Sequence, residues 1–165
     1  MKLENEIFID APRQVVFAAL NDPEILKQCI PGCKELTKES DTDLTAKVVL
    51  KIGPVKATFG GKVKLDPSEA PDRFSLTGEG NGGVAGYAKG GADVELIEQD
   101  GGTLLKYVAK AEIGGKLAQL GSRLVTSTAK KLSKNFFEKF EEVLTADPDA
   151  DEEEKKSFWG KLVGA

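Results

Sequence analysis

The sequence predicts an α+β fold in which one long antiparallel sheet wraps around a C-terminal helix. Two observations carry this. From Leu44 to Ile113, apolar and polar residues alternate through successive segments, the period of strands that each bury one face. After Gly114-Gly115 the period changes. Leu117, Leu120, Leu124, Val125, Ala129, Leu132, Phe136, Phe140 and Val143 recur at steps of three and four residues, the stripe of one amphipathic helix over about 116–144. A third feature bears on function: residues 78–92, GEGNGGVAGYAKGGA, place glycine and alanine where strands usually supply bulk.

The elements follow in order. Residues 2–9 read as a first strand, with Leu3, Ile7 and Ile9 apolar. Asp10-Ala-Pro12 then opens a short helix with Val15, Val16, Ala19 and Leu20 on its apolar face, proline standing near the first helical position. Asn21-Asp22-Pro23 opens a second helix to about Gln28, and Ile30-Pro31-Gly32-Cys33 makes a turn. A second strand spans 34–39, and 40–43 (SDTD) form its hairpin turn. Leu44, Ala46, Val48, Leu50 and Ile52 share a face of the third strand; Gly53-Pro54 interrupts, and Val55, Ala57, Phe59, Gly61, Val63 and Leu65 share a face of the fourth. After a turn at 66–71 come three more strands, around 73–80, 88–97 and 104–113. Such alternation implies a sheet with one face solvated.

Composition narrows the function. A chain of 165 residues suits one domain with a tail, large enough for a normal core without a metal or disulfide staple. Its net charge of −4 argues against general nucleic-acid binding. The start, MKLENEIFID, lacks the apolar region of a secretory signal, and no apolar run approaches a membrane span; a soluble cytoplasmic protein is expected. Cys29 and Cys33 are expected to be free thiols, since disulfides are rare in a reducing compartment. There is no histidine, which removes the usual general base and the commonest metal ligand. The inward strand positions hold no Asp, Glu or Lys. We therefore expect no catalytic residue, no metal and no enzymatic activity.

Gly78, Gly80, Ala88, Gly90, Ala92, Ala109 and Ala111 fall on the inward phase of three successive strands. A packed interior needs its volume filled, so such a face either borders a cavity for an apolar ligand or lets another layer pack close. The small residues alone fit both equally. The stretch fits neither a P-loop nor a dinucleotide fingerprint, because it lies between strands with no helix N-terminus behind it. Tyr107 is inward and offers the obvious polar handle; Tyr87 is outward, near the bend.

The chain resembles the CoxG family, the G-subunit family of carbon monoxide dehydrogenase, within the START-like (SRPBCC, helix-grip) superfamily. The resemblance rests on Phe8-Ile9-Asp10-Ala11-Pro12 with Val15-Val16-Phe17, and on Asn21-Asp22-Pro23-Glu24 leading to Cys29-Ile30-Pro31-Gly32-Cys33. Gly53-Pro54-Val55, residues 78–92 and the helix from Gly115-Lys116-Leu117-Ala118 to Phe136-Phe137 complete it. It covers about residues 1–144. The resemblance implies a helix-grip fold whose cavity holds an apolar ligand. It further implies an accessory role with a molybdenum carbon monoxide dehydrogenase or a related molybdenum hydroxylase at the inner face of the cytoplasmic membrane. Because that enzyme must pass electrons to respiratory quinone, the expected cargo is an isoprenoid quinone, menaquinone or ubiquinone, with no covalent cofactor. The alternatives are a ligand-free recruitment or maturation factor and, ranked last, a small enzyme of the same fold.

On this reading residues 1–145 form the ligand-binding domain. The expected lining is Leu50, Phe59, Phe74, Leu76, Gly78, Ala88, Gly90, Tyr107, Ala109 and Ala111 from the sheet, with Leu117, Leu120 and Leu124 from the helix. Residues 146–157 read as an acidic flexible linker and 158–165 as a short apolar tail. In that tail Phe158, the sole tryptophan Trp159, Leu162 and Val163 are the expected anchors on a protein partner or a membrane surface. The tail is too short for a permanent anchor, so any membrane contact should be transient.

Overall fold

A computed structural model describes residues 1–145. Seven antiparallel strands form one sheet in the order β1-β7-β6-β5-β4-β3-β2. The strands are β1 (Lys2–Ile9), β2 (Cys33–Lys38), β3 (Asp43–Ile52), β4 (Val55–Asp66), β5 (Arg73–Asn81), β6 (Tyr87–Gln99) and β7 (Gly102–Gly114). Two helices, α1 (Arg13–Leu20) and α2 (Pro23–Cys29), join β1 to β2, while α3 (Lys116–Gln119) and α4 (Ser122–Leu144) follow β7. From β2 through β7 every neighbour in the chain is a neighbour in the sheet, and β1 closes it against β7. The result is the helix-grip arrangement.

Local chemistry sets the boundaries. Asp22 caps α2, its side chain accepting from the Glu24 N–H at 2.9 Å, with Pro23 in the first turn. Pro12 precedes α1, which starts at Arg13. The β2–β3 turn is tied by Asp43, whose carboxylate accepts from Ser40 (2.7 Å) and Thr42 (3.0 Å) and is held below its usual pKa by those bonds. At β7 the fully buried Thr103 hydroxyl donates to the Ala11 carbonyl at 2.8 Å, fixing the entry to α1.

The expected single helix over 116–144 is two helices. Gly121 has φ 92, a left-handed value that only glycine adopts cheaply, and it separates α3 from α4. The apolar spacing of Leu117, Leu120 and Leu124 runs on through the break, so periodicity alone does not reveal it.

The interior divides in two. The main core gathers Ile9, Val15, Val16, Ala19, Ile25, Phe74, Leu96 and Leu105 with Phe140 and Leu144 from the C-terminal end of α4. A smaller cluster of Phe59, Ala85 and Leu117, with Leu50, Ile52, Ile113 and Leu120 against it, lies at the other end of the sheet. Between them α4 changes character. Phe140 and Leu144 are fully buried, whereas Leu124, Val125, Thr128, Ala129, Leu132 and Phe136 on its inner face are only half-buried.

Both cysteines are free. Cys29 lies in the main core, where burial pushes its thiol up to about 11, only partly offset by Lys139. Burial also raises the Cys33 thiol, which donates a weak bond to the Glu35 carbonyl at 3.4 Å. Because the thiolate is the reactive form, a disulfide reagent at neutral pH should label Cys33 in the native protein and reach Cys29 only in denaturant. Equal labelling rates would contradict this packing. The native state keeps the Cys29 proton that an unfolded thiol loses near its ordinary value of 9.0, so this group makes stability fall as pH rises from about 9 to 11.

Candidate ligand cavity

The space between the two clusters is an apolar cavity of about 480 Å³, within the roughly 300–1,000 Å³ typical of small-molecule sites. Its sheet wall is Val48, Leu50 and Ile52 of β3, Phe59 and Gly61 of β4, Gly80 of β5, Ala88 of β6, and Ala111 and Ile113 of β7. Its helix wall is Leu117 of α3 with Val125, Thr128, Ala129, Leu132, Ser133 and Phe136 of α4. Met1, Ile30 and Pro31 complete it. No Asp, Glu, Lys or Arg lines it; its polar side chains are the Thr128 and Ser133 hydroxyls.

The cavity exists because small residues meet at one place in the sheet. Register pairs Gly61 with Gly80 and Gly80 with Ala88, and Ala88 lies opposite Ile113, two residues from Ala111. A Cβ at Gly80 would meet nothing within 4 Å, and one at Gly61 would make only ordinary contact with the Glu79 carbonyl at 3.6 Å. At this spot the missing bulk is open space.

Elsewhere the same glycines serve close packing. Leu50, Phe59, Ala88, Ala111 and Leu117 of the expected lining do line the cavity; eight others do not. Phe74 is buried in the main core, with Leu76 packed against it. A side chain on Gly78 would press on Val63, its partner across the ladder, at 3.4 Å. One on Gly90 would run into the β7 backbone, 2.8 Å from the Ala111 Cα. Ala109 pairs with Leu3 and Ala92 along the ladder. Leu120 packs on the smaller cluster, and Leu124 reaches over Gly53 at the β3–β4 turn.

Tyr107 also stands outside the lining. Its ring stacks on Phe137 at 5.7 Å, and its hydroxyl is hydrogen-bonded to Ser133 at 2.5 Å. Ser133 is the side chain of this pair that reaches the cavity. Thr128 and Ser133 are not among the expected lining residues, although their spacing from Val125, Ala129, Leu132 and Phe136 puts them on the helix's inner stripe. The expected tail anchors Phe158, Trp159, Leu162 and Val163 lie outside the described residues. Among the described residues no helix is long and apolar enough to cross a membrane.

The family model for the G subunit of carbon monoxide dehydrogenase, CoxG, matches residues 6–145. The chain belongs to the CoxG family. A conserved protein from Geobacillus kaustophilus is similar in structure to this CoxG-family chain at 29% identity and TM-score 0.80, over 86% of this chain and 93% of its own. At the level of fold alone, an aromatase/cyclase from a Streptomyces species aligns at 11% identity and TM-score 0.63, covering 86% of this chain and 91% of its own. Ara h 8.0201 aligns at 19% and 0.63, covering 89% and 99%. These neighbours place the CoxG-family chain among START-like helix-grip proteins. No curated protein matches its sequence. Family and fold together suggest an accessory protein that binds a ligand.

Proposed function

We propose that this protein carries an isoprenoid quinone, menaquinone or ubiquinone, between the cytoplasmic membrane and a molybdenum carbon monoxide dehydrogenase or related hydroxylase. The observation that carries the reading is the cavity's composition: aliphatic and aromatic walls, two hydroxyls on one side, and no charged lining residue. Apolar walls favour transfer of a prenylated ring from water. Thr128 and Ser133 can donate to a ring carbonyl, and Tyr107 holds Ser133 in place. A volume of about 480 Å³ suits a quinone ring and the first part of its chain, with the rest leaving through the mouth. The walls offer no general acid or base, so the role is to hold cargo rather than transform it.

The test is mass spectrometry of organic extracts from the purified protein, alongside native mass spectrometry of the intact species. A stoichiometric isoprenoid quinone is the expected result. An empty protein that also takes no quinone from liposomes would reject the carrier reading and favour a ligand-free recruitment factor.

A further inference from the structure

Charge is segregated along the long axis of the sheet. One end is built by the β3–β4 turn, the β5–β6 loop and the β7–α3–α4 connection. In segments 51–57, 82–88 and 113–124 the charged residues are Lys51, Lys56, Lys116 and Arg123; there is no Asp or Glu. All four are exposed, and none forms an ion pair among the described residues. Lys51 and Lys56 stand directly opposite each other in the β3–β4 hairpin, where like charges repel unless something anionic lies nearby. The turns at the opposite end, 40–43, 66–72 and 99–101, carry Asp41, Asp43, Asp66, Glu69, Asp72 and Asp100 and no cation. A chain of net charge −4 thus keeps one basic end.

That end also exposes aliphatic surface. Val84, at the tip of the β5–β6 loop, is 85% exposed. The loop is braced from behind: Gly86 lies backbone to backbone against Gly115, and Ala85 is buried beside Phe59 and Leu117. Ile52, Ile113 and Leu117 of the cavity wall belong to these same segments. Cations around a protruding aliphatic residue are the chemistry of a surface that meets acidic headgroups while inserting apolar atoms.

We propose that this end of the grip docks on the surface of an anionic bilayer, bringing the cavity to the lipid. The proposal rests on the carrier reading for its purpose, and on charge and exposure for its location. Flotation of the full chain with vesicles of phosphatidylcholine, alone or mixed equally with phosphatidylglycerol, tests it. Binding should require the anionic lipid and weaken in raised salt. The pair Lys51→Glu/Lys56→Glu, and separately Val84→Asp, should each lower partitioning about tenfold. The pair Lys62→Glu/Lys64→Glu, an equal charge change on the fourth strand away from this end, should have little effect. Equal losses from both double variants, or none from the loop-end variants, would overturn the docking face. A wild-type chain that ignores anionic vesicles would also overturn it and turn the basic end toward an acidic protein surface. Quinone uptake from detergent micelles separates the two proposals: loop-end variants that take up quinone normally but leave the vesicles support docking. Vesicle binding by a wild-type chain that takes no quinone sinks the carrier reading and leaves the docking face standing.

Discussion

Gly80→Leu is expected to lower quinone affinity at least tenfold while the protein stays folded. Gly80 is a strand residue without a positive φ, and a Cβ there meets nothing within 4 Å because it points into the cavity. A leucine therefore breaks no sheet contact and occupies cargo space directly. Losing the burial of even two methylene equivalents of ligand costs about 1.6 kcal/mol, already more than a tenfold change. Gly90→Leu is the instructive contrast. It lies on the same phase of the alternation, yet its side chain would strike the β7 backbone at Ala111, so it should unfold the sheet rather than fill a pocket. Titration of each purified variant with a short-chain quinone, alongside circular dichroism, distinguishes the two. A folded Gly80→Leu protein that binds as tightly as wild type would mean the cargo is not held here.

The difference between Gly80 and Gly90 also marks the limit of what the sequence discloses. Alternation identifies the strands and assigns both glycines to the inward face, because that needs only a period of two. Whether a bare inward position opens onto space depends on strand coiling and on where the helix crosses. Neither is encoded locally. Val48, Ile52, Gly61 and Ile113 share the inward phase of their strands, and they line the cavity because α4 stands away from them there. Leu76 and Phe74 share that phase too, and the main core takes them. Thr128 and Ser133 are legible in principle as polar residues inside an apolar stripe. They become informative only once that stripe is seen to be half-buried rather than packed.

That half-buried stripe yields the second large effect. Phe140→Ala should cost about 3–5 kcal/mol, a large part of the roughly 5–15 kcal/mol that holds a domain together. Phe140 is fully buried and lies against Phe136 and Phe137, with ring centroids 5.8 and 6.3 Å away. It pins the C-terminal end of α4 to the main core, so its loss leaves a cavity in the one region where the helix is closely packed. A fall of roughly 10 °C in melting temperature is expected. Leu132→Ala, eight residues earlier on the same inner stripe, removes a comparable side chain from a half-buried position facing space. It should cost only about 1 kcal/mol in the empty protein and show its effect in ligand affinity instead. Thermal melts with and without bound quinone separate these roles, since cargo stabilises the folded form by mass action. If Leu132→Ala destabilised the empty protein as much as Phe140→Ala, α4 would have to be packed along its whole length in solution, and the grip would have no room for a cargo.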